Sequence, residues 1–88
     1  MYRVEQFHAP NQFLIYTPDG VELQSYNSEV ARINSAGGLS LGADWAYSQT
    51  TRRYVYMFIK EFSRVSLPEQ GRAAFIRKEI ARGTIGTF

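Results

Sequence analysis

DWAYSQTTRRYVYMFIKEFSRV, residues 44–65, decides the fold of this chain. At ~100° per residue, Val55, Phe58, Phe62 and Val65 fall on one side of a helix with Tyr54 and Ile59 as flanks. Arg53, Tyr56, Met57, Lys60 and Arg64 fall on the other. One face makes a core and the other is basic with an aromatic in it. Ser48 is the best N-cap, with its hydroxyl free for the amides two and three residues on, and Thr50 competes with it. The spacing predicts a helix from about Gln49 to Arg64 or Val65.

Just upstream, Trp45 and Tyr47 are spaced for the same face of a strand. Packing against the long helix accounts for their place directly before it. A stacking platform for bases is the functional alternative.

Farther upstream the chain reads as strands. FLIYT (residues 13–17) and VELQSY (residues 21–26) are β-prone runs joined by Pro18-Asp19-Gly20, where proline presets φ and glycine accepts positive φ. Residues 2–7 predict a further short strand, ended by Ala9-Pro10-Asn11. After Tyr26 the alternation breaks, because Leu23 and Tyr26 lie an odd number of residues apart and cannot share a face of an unbroken strand. A bulge or turn at Asn27-Ser28 is expected, then an extended EVARIN (residues 29–34) and a short Leu39–Leu41 segment.

Downstream of the long helix, Ser66-Leu67-Pro68-Glu69 has capping-box spacing and Gly83 follows Arg82 as a terminator. A second helix is predicted from about Leu67 to Arg82. Its apolar stripe is Ala73, Ile76 and Ile80, while Phe75 falls on the far side near Lys78 and Arg82. Phe75 therefore packs under the tail TIGTF or is exposed. The expected fold is α+β: one domain over residues 1–88, with an antiparallel sheet of three to five strands in the N-terminal half packed on one long helix, plus a second C-terminal helix.

Eighty-eight residues bury only about 60 to 65% of the surface exposed when unfolded, so the core is small. Thirteen aromatics supply large buried area per residue and leave some rings for the surface. The chain has no cysteine, which removes disulfides, thiolate catalysis and cysteine zinc sites. No apolar run approaches the ~20 residues of a membrane span, and MYRVEQFHAP lacks the basic start and apolar centre of a signal peptide. The expectation is a cytoplasmic protein without a membrane partner. Net charge is +2 but lopsided: residues 1–48 hold two basic and five acidic side chains, residues 49–88 eight basic and three acidic. Such a dipole favours steered association with a charged partner or head-to-tail self-association.

Catalytic chemistry finds little support. His8 is the one histidine, no nucleophile and base pattern surrounds it, and the eight acids are scattered singly, so neither enzyme activity nor a metal or other cofactor is expected. Arg52 and Arg53 lie in the first helical turn beside Ser48, Thr50 and Thr51, where free amides and guanidinium groups can hold a phosphate or carboxylate. Plain capping with solvated arginines is the competing reading. Arg53, Tyr56, Lys60 and Arg64 have the composition of a nucleic-acid contact or a surface docking on an acidic protein, against the simpler reading of a solvated helix face. The candidate partner-binding residues are Arg52, Arg53, Tyr56, Lys60, Arg64, Phe75, Lys78 and Arg82.

SYNSEVARI (residues 25–33), a short turn, LSLG and then WAYSQTTRRYVYMF (residues 45–58) resemble small proteins of unknown function encoded by bacteriophages and other mobile elements. Those proteins carry a Ser-Tyr-x-Thr/Ser-x-Val-Ala strand followed by Tyr-Ser-x-Thr-Thr and an aromatic helix. The matching positions are Ser25, Tyr26, Ser28, Val30, Ala31, Tyr47, Ser48, Thr50, Thr51 and Phe58, with serine in place of the commoner threonine at Ser28. The resemblance implies a phage-type protein acting inside a bacterium, where proteins of this size often disable a host machine, CRISPR effector complexes included. The expected function is non-enzymatic binding to a host protein or ribonucleoprotein. Direct nucleic-acid binding through the basic helical faces and self-assembly as a homodimer are the alternatives.

Overall fold

A computed structural model describes residues 3–88. Its elements are β1 (Arg3–Phe7), β2 (Ala9–Thr17), β3 (Gly20–Ser25), β4 (Ser28–Asn34), β5 (Leu39–Leu41), α1 (Gln49–Phe62), α2 (Arg72–Arg82) and β6 (Gly86–Thr87). The six strands form one sheet in sequence order, antiparallel except for the parallel pair β5–β6. The α+β class therefore holds, with a sheet larger than the three to five strands expected. The additional strand comes from the tail: Ile85 is buried in the core and draws Gly86–Thr87 alongside β5. Tyr2, with which the expected first strand began, lies outside the described residues.

The β2–β3 hairpin forms as its turn residues dictate, with Thr17 opposite Gly20 across Pro18-Asp19. Gly20 has φ +149°, and a Cβ there would stand 1.9 Å from the Ile33 carbonyl oxygen on β4. Ala9-Pro10-Asn11 does not end a strand; β2 already begins at Ala9, and the strain sits at His8 (φ +65°) and Asn11 (φ +68°). The break after Tyr26 is a tight turn in which Tyr26 takes φ +56° and donates its amide to the Asn11 carbonyl at 2.6 Å. Beside it, the β3–β4 register slips, with Leu23 opposite Ala31 and Gln24 opposite Glu29. The extra residue of that bulge is Val30, which lets the consecutive Val30 and Ala31 both be fully buried.

One face of the sheet carries Leu14, Val21, Leu23, Ile33, Leu39 and Leu41 into the core, and α1 meets it with Val55, Phe58 and Ile59. α1 packs over β3 and β4. Phe7, Phe58 and Phe62 form an aromatic cluster with centroid separations of 5.2 to 6.5 Å. Phe13 and Ile15 alternate out of the core onto the opposite face, beside Glu22, Glu29 and Arg32.

Ser48 caps α1 as its position predicts, its Oγ accepting the Thr51 amide at 3.1 Å. The helix stops at Phe62, short of the expected Arg64 or Val65. Ser63 adopts extended backbone and its hydroxyl accepts the Val65 amide at 2.7 Å, a local bond that competes with the next helical turn.

The second helix starts at Arg72, five residues later than Leu67. The capping-box spacing at Ser66 to Glu69 is not used; Gly71 (φ +69°) precedes the helix with no side-chain cap. Burial explains the difference. Val65 and Leu67, two apart, both pack against the core, which an extended segment permits and a helix does not. Among the described residues no helix is long and apolar enough to cross a membrane.

Candidate functional site

The late start of α2 leaves a concavity between α1 and the segment that follows it. The extended segment after α1 runs back beside it, and the two border a groove of about 580 Å³. Arg53, Tyr56, Met57, Lys60 and Arg64 come from α1 and its C-terminal edge; Val65, Ser66, Leu67, Glu69 and Arg72 come from the return segment and the first turn of α2. Tyr56, Met57, Val65 and Leu67 are half-buried against the core, so they form an apolar floor. Arg53, Lys60, Arg64 and Arg72 are exposed around it.

The electrostatics follow from where the acids sit. The ion pairs among the described residues are Arg3–Glu5, Arg32–Glu29 and Arg82–Glu79, and His8 contacts Glu61. None involves a groove cation. Glu69 is the sole carboxylate in the lining, against four basic side chains. Arg72 is positioned within the groove: its Nε donates to the Pro68 carbonyl at 3.0 Å and its guanidinium lies 5.8 Å from the Tyr56 ring centroid. Unpaired cations gathered around one groove repel one another weakly through water, and an anionic partner relieves that repulsion.

The sequence-predicted binding residues divide into two sets. Arg53, Tyr56, Lys60 and Arg64 converge on the groove. The other four lie outside its lining, each for an identifiable reason. Arg52 turns back, its Nη1 donating to the Ala46 carbonyl at 3.2 Å, so the two neighbouring guanidinium groups diverge and no paired phosphate clamp forms at the start of α1. Phe75 is half-buried against the core. Arg82 pairs with Glu79 at 3.2 Å. Lys78 is exposed on α2 away from the lining.

Of the groove's four cations, Arg72 is the one absent from the candidate binding residues, and the floor residues Met57, Val65 and Leu67 were absent with it. The charge of Arg72 was visible, but its placement depends on Gly71 and the extended return, which no local signal announced.

Trp45 and Tyr47 do not share a face. Residues 42–47 form successive turns, with the Trp45 amide on the Gly42 carbonyl and the Tyr47 amide on the Asp44 carbonyl, not a strand. Trp45 is buried under the Arg77 guanidinium, 5.5 Å from its ring centroid, while Tyr47 is 83% exposed. A paired stacking platform is thereby ruled out. His8 stands in the β1–β2 turn with its Nε2 2.7 Å from Glu61 Oε2. It links that turn to α1 and is not part of the groove.

No curated protein and no solved structure matches the sequence. Residues 2–77 match a family of unknown function (DUF8033), and the chain belongs to that family. The match takes in every strand of the β1–β5 meander, α1, the return segment and the first half of α2, and so the whole groove.

Proposed function

We propose that this member of a family without an assigned function is a non-enzymatic binding protein that docks on an acidic surface of a host protein or ribonucleoprotein. The observation that carries the reading is the groove itself: four unpaired cations around a floor of Tyr56, Met57, Val65 and Leu67. Charge sets the approach and orientation of a partner, and the apolar floor supplies the area that holds it. The lining contains no histidine and one carboxylate, so no acid and base face each other across the space. Phage-type provenance and inhibition of a host machine, an anti-CRISPR role being one concrete form, belong to the same proposal and rest on the resemblance at residues 25–58.

Direct nucleic-acid binding is the weaker competitor. A phosphodiester backbone would use the rim cations but leave the aliphatic floor unfilled, and Glu69 would oppose it.

The test is affinity capture from a bacterial host lysate with wild-type protein and an Arg53→Glu/Lys60→Glu/Arg64→Glu variant, alongside gel shifts with single- and double-stranded DNA and RNA. The reading expects a discrete partner retained by the wild type and lost by the variant. Equal retention by both, or a gel shift with naked nucleic acid that the variant abolishes, would overturn it.

A further inference from the structure

A second concavity lies elsewhere, and its chemistry is the reverse of the groove's. The turn after β3 and the segment leading into α1 border a cleft of about 250 Å³ lined by Ser25, Tyr26, Asn27, Ser28, Val30, Asp44, Tyr47 and Thr51. No basic residue lines it. Its one charged group is Asp44, which forms no ion pair among the described residues. A space of this size is below that of a cofactor or drug-sized molecule and suits one side chain.

Three observations bear on the occupant. Tyr26 and Tyr47, one from each bordering segment, are 52% and 83% exposed, the two most exposed aromatics among the large hydrophobics left outside the core. Tyr26 is held there against its backbone preference, at φ +56°, by its amide bond to Asn11 and by Gln24 Nε2 donating to its carbonyl at 2.8 Å. An aromatic side chain strained into an exposed position makes a ring face available at a fixed place.

The third observation is the state of Asp44. Ser28 Oγ donates to its Oδ2 at 3.1 Å, which fixes the carboxylate on the cleft wall and leaves Oδ1 without a hydrogen-bond partner among the described residues. Behind it the hydroxyls of half-buried Ser48 and buried Thr51 and Ser25 satisfy one another. Ser48 donates to Thr51 Oγ1 at 3.1 Å, and Thr51 and Ser25 are 3.3 Å apart. The polar floor is thus closed, and the rim offers π faces and a carboxylate.

We propose that this cleft receives an arginine side chain of a partner protein. A guanidinium group is planar, stacks on tyrosine faces and donates in a fork to a carboxylate. The start of α1 contributes a partial positive charge nearby, about half an elementary charge, which opposes a cation. That charge is smaller than the full negative charge of Asp44, and the first-turn Thr51 amide is already occupied by Ser48. An anionic occupant would face Asp44 directly, and an aliphatic one would meet hydroxyl and carboxylate groups. The site uses none of the groove residues, so it stands or fails independently of the function proposed above.

The experiment is an amide-resolved NMR titration with N-acetyl-arginine amide, with N-acetyl-citrulline amide as the uncharged probe of the same shape. Arginine should shift the amides of Tyr26, Asn27, Ser28 and Tyr47, and citrulline should not. Asp44→Asn should weaken arginine binding about fivefold, as expected for an exposed ion pair. Tyr47→Ala, at a position with little packing to lose, should weaken it roughly two- to fivefold. Absence of shifts at the cleft, equal response to citrulline, or arginine affinity unchanged in both Asp44→Asn and Tyr47→Ala would overturn the assignment.

Discussion

Replacing Thr51 by valine tests the join between sheet and helix on which both concavities depend. Thr51 is 4% exposed and Ser25 3% exposed, and their hydroxyls meet at 3.3 Å between β3 and α1. Valine keeps the shape and nearly the same helix propensity, and the Thr51 amide keeps its bond to Ser48 Oγ. What disappears is the hydroxyl that links Ser48 to Ser25. Ser48 is partly exposed and can turn to water, but Ser25 is left buried without that partner. Leaving one buried polar group unsatisfied costs about 1–3 kcal/mol. For a chain of this length each 1 kcal/mol moves Tm by about 4–8 °C, so the loss should be large and easily measured.

The decisive variant is the double one, Ser25→Ala/Thr51→Val. It removes both partners, so its cost should fall below the sum of the two single costs by about 1 kcal/mol or more. Urea denaturation followed by the fluorescence of Trp45, the one tryptophan and a buried one, together with far-UV circular dichroism, gives all four corners of the cycle. Additivity to within about 0.5 kcal/mol would show that the two hydroxyls are not coupled, and would refute the account of how α1 is registered on the sheet.

Three further outcomes follow from the geometry. Glu69→Lys removes the groove's only carboxylate and should tighten capture of an anionic partner, with an association rate that falls as salt rises; a rate insensitive to both would contradict the electrostatic role of the groove. Glu22 has its carboxyl pKa raised above the usual value, first by burial and then by the nearby Glu29, so the native state holds its proton at a pH where the unfolded chain releases it. Stability from this group is therefore present below the unfolded pKa and lost as pH rises through the folded one, and Glu22→Gln should raise Tm at neutral pH with the gain vanishing under acid conditions; thermal melts at pH 7 and pH ~3.5 decide it. Gly20→Ala places a methyl group 1.9 Å from the Ile33 carbonyl oxygen, a backbone atom of a central strand that cannot yield cheaply, and should cost several kcal/mol; an unfolding midpoint within 2 °C of wild type, where ~0.5 kcal/mol is the limit for harmless changes, would contradict the packing described.

The features legible in the sequence were those set within one or two turns of chain. Pro18-Asp19-Gly20 specified its hairpin because the turn geometry is written in three residues. The odd spacing of Leu23 and Tyr26 announced the turn at Tyr26. Ser48 and the 3.6-residue recurrence of Val55, Phe58 and Phe62 fixed where α1 starts and which side it buries. Arg53, Tyr56 and Lys60 converged because they share one face of α1, and a helix face is a local property; Arg64, past the end of the helix, joins them only through the fold.

Everything that required a distant partner had to come from the fold. The cap signal at Ser66 lost to the burial of Val65 and Leu67, since packing two side chains two residues apart outweighs an unused capping box. Arg52 and Arg82, indistinguishable in sequence from Arg53 and Arg64, were bound by Ala46 and Glu79. Trp45 and Tyr47 parted because the core took one ring and the turn sequence around Asp44 sent the other outward. By itself the sequence determined the strands of the first half, the long helix and the side on which its charge lies. Only the tertiary structure decided which charges stay free and which grooves they border, because a side chain's partner is chosen by what the chain brings near it in space, and local periodicity carries no record of that.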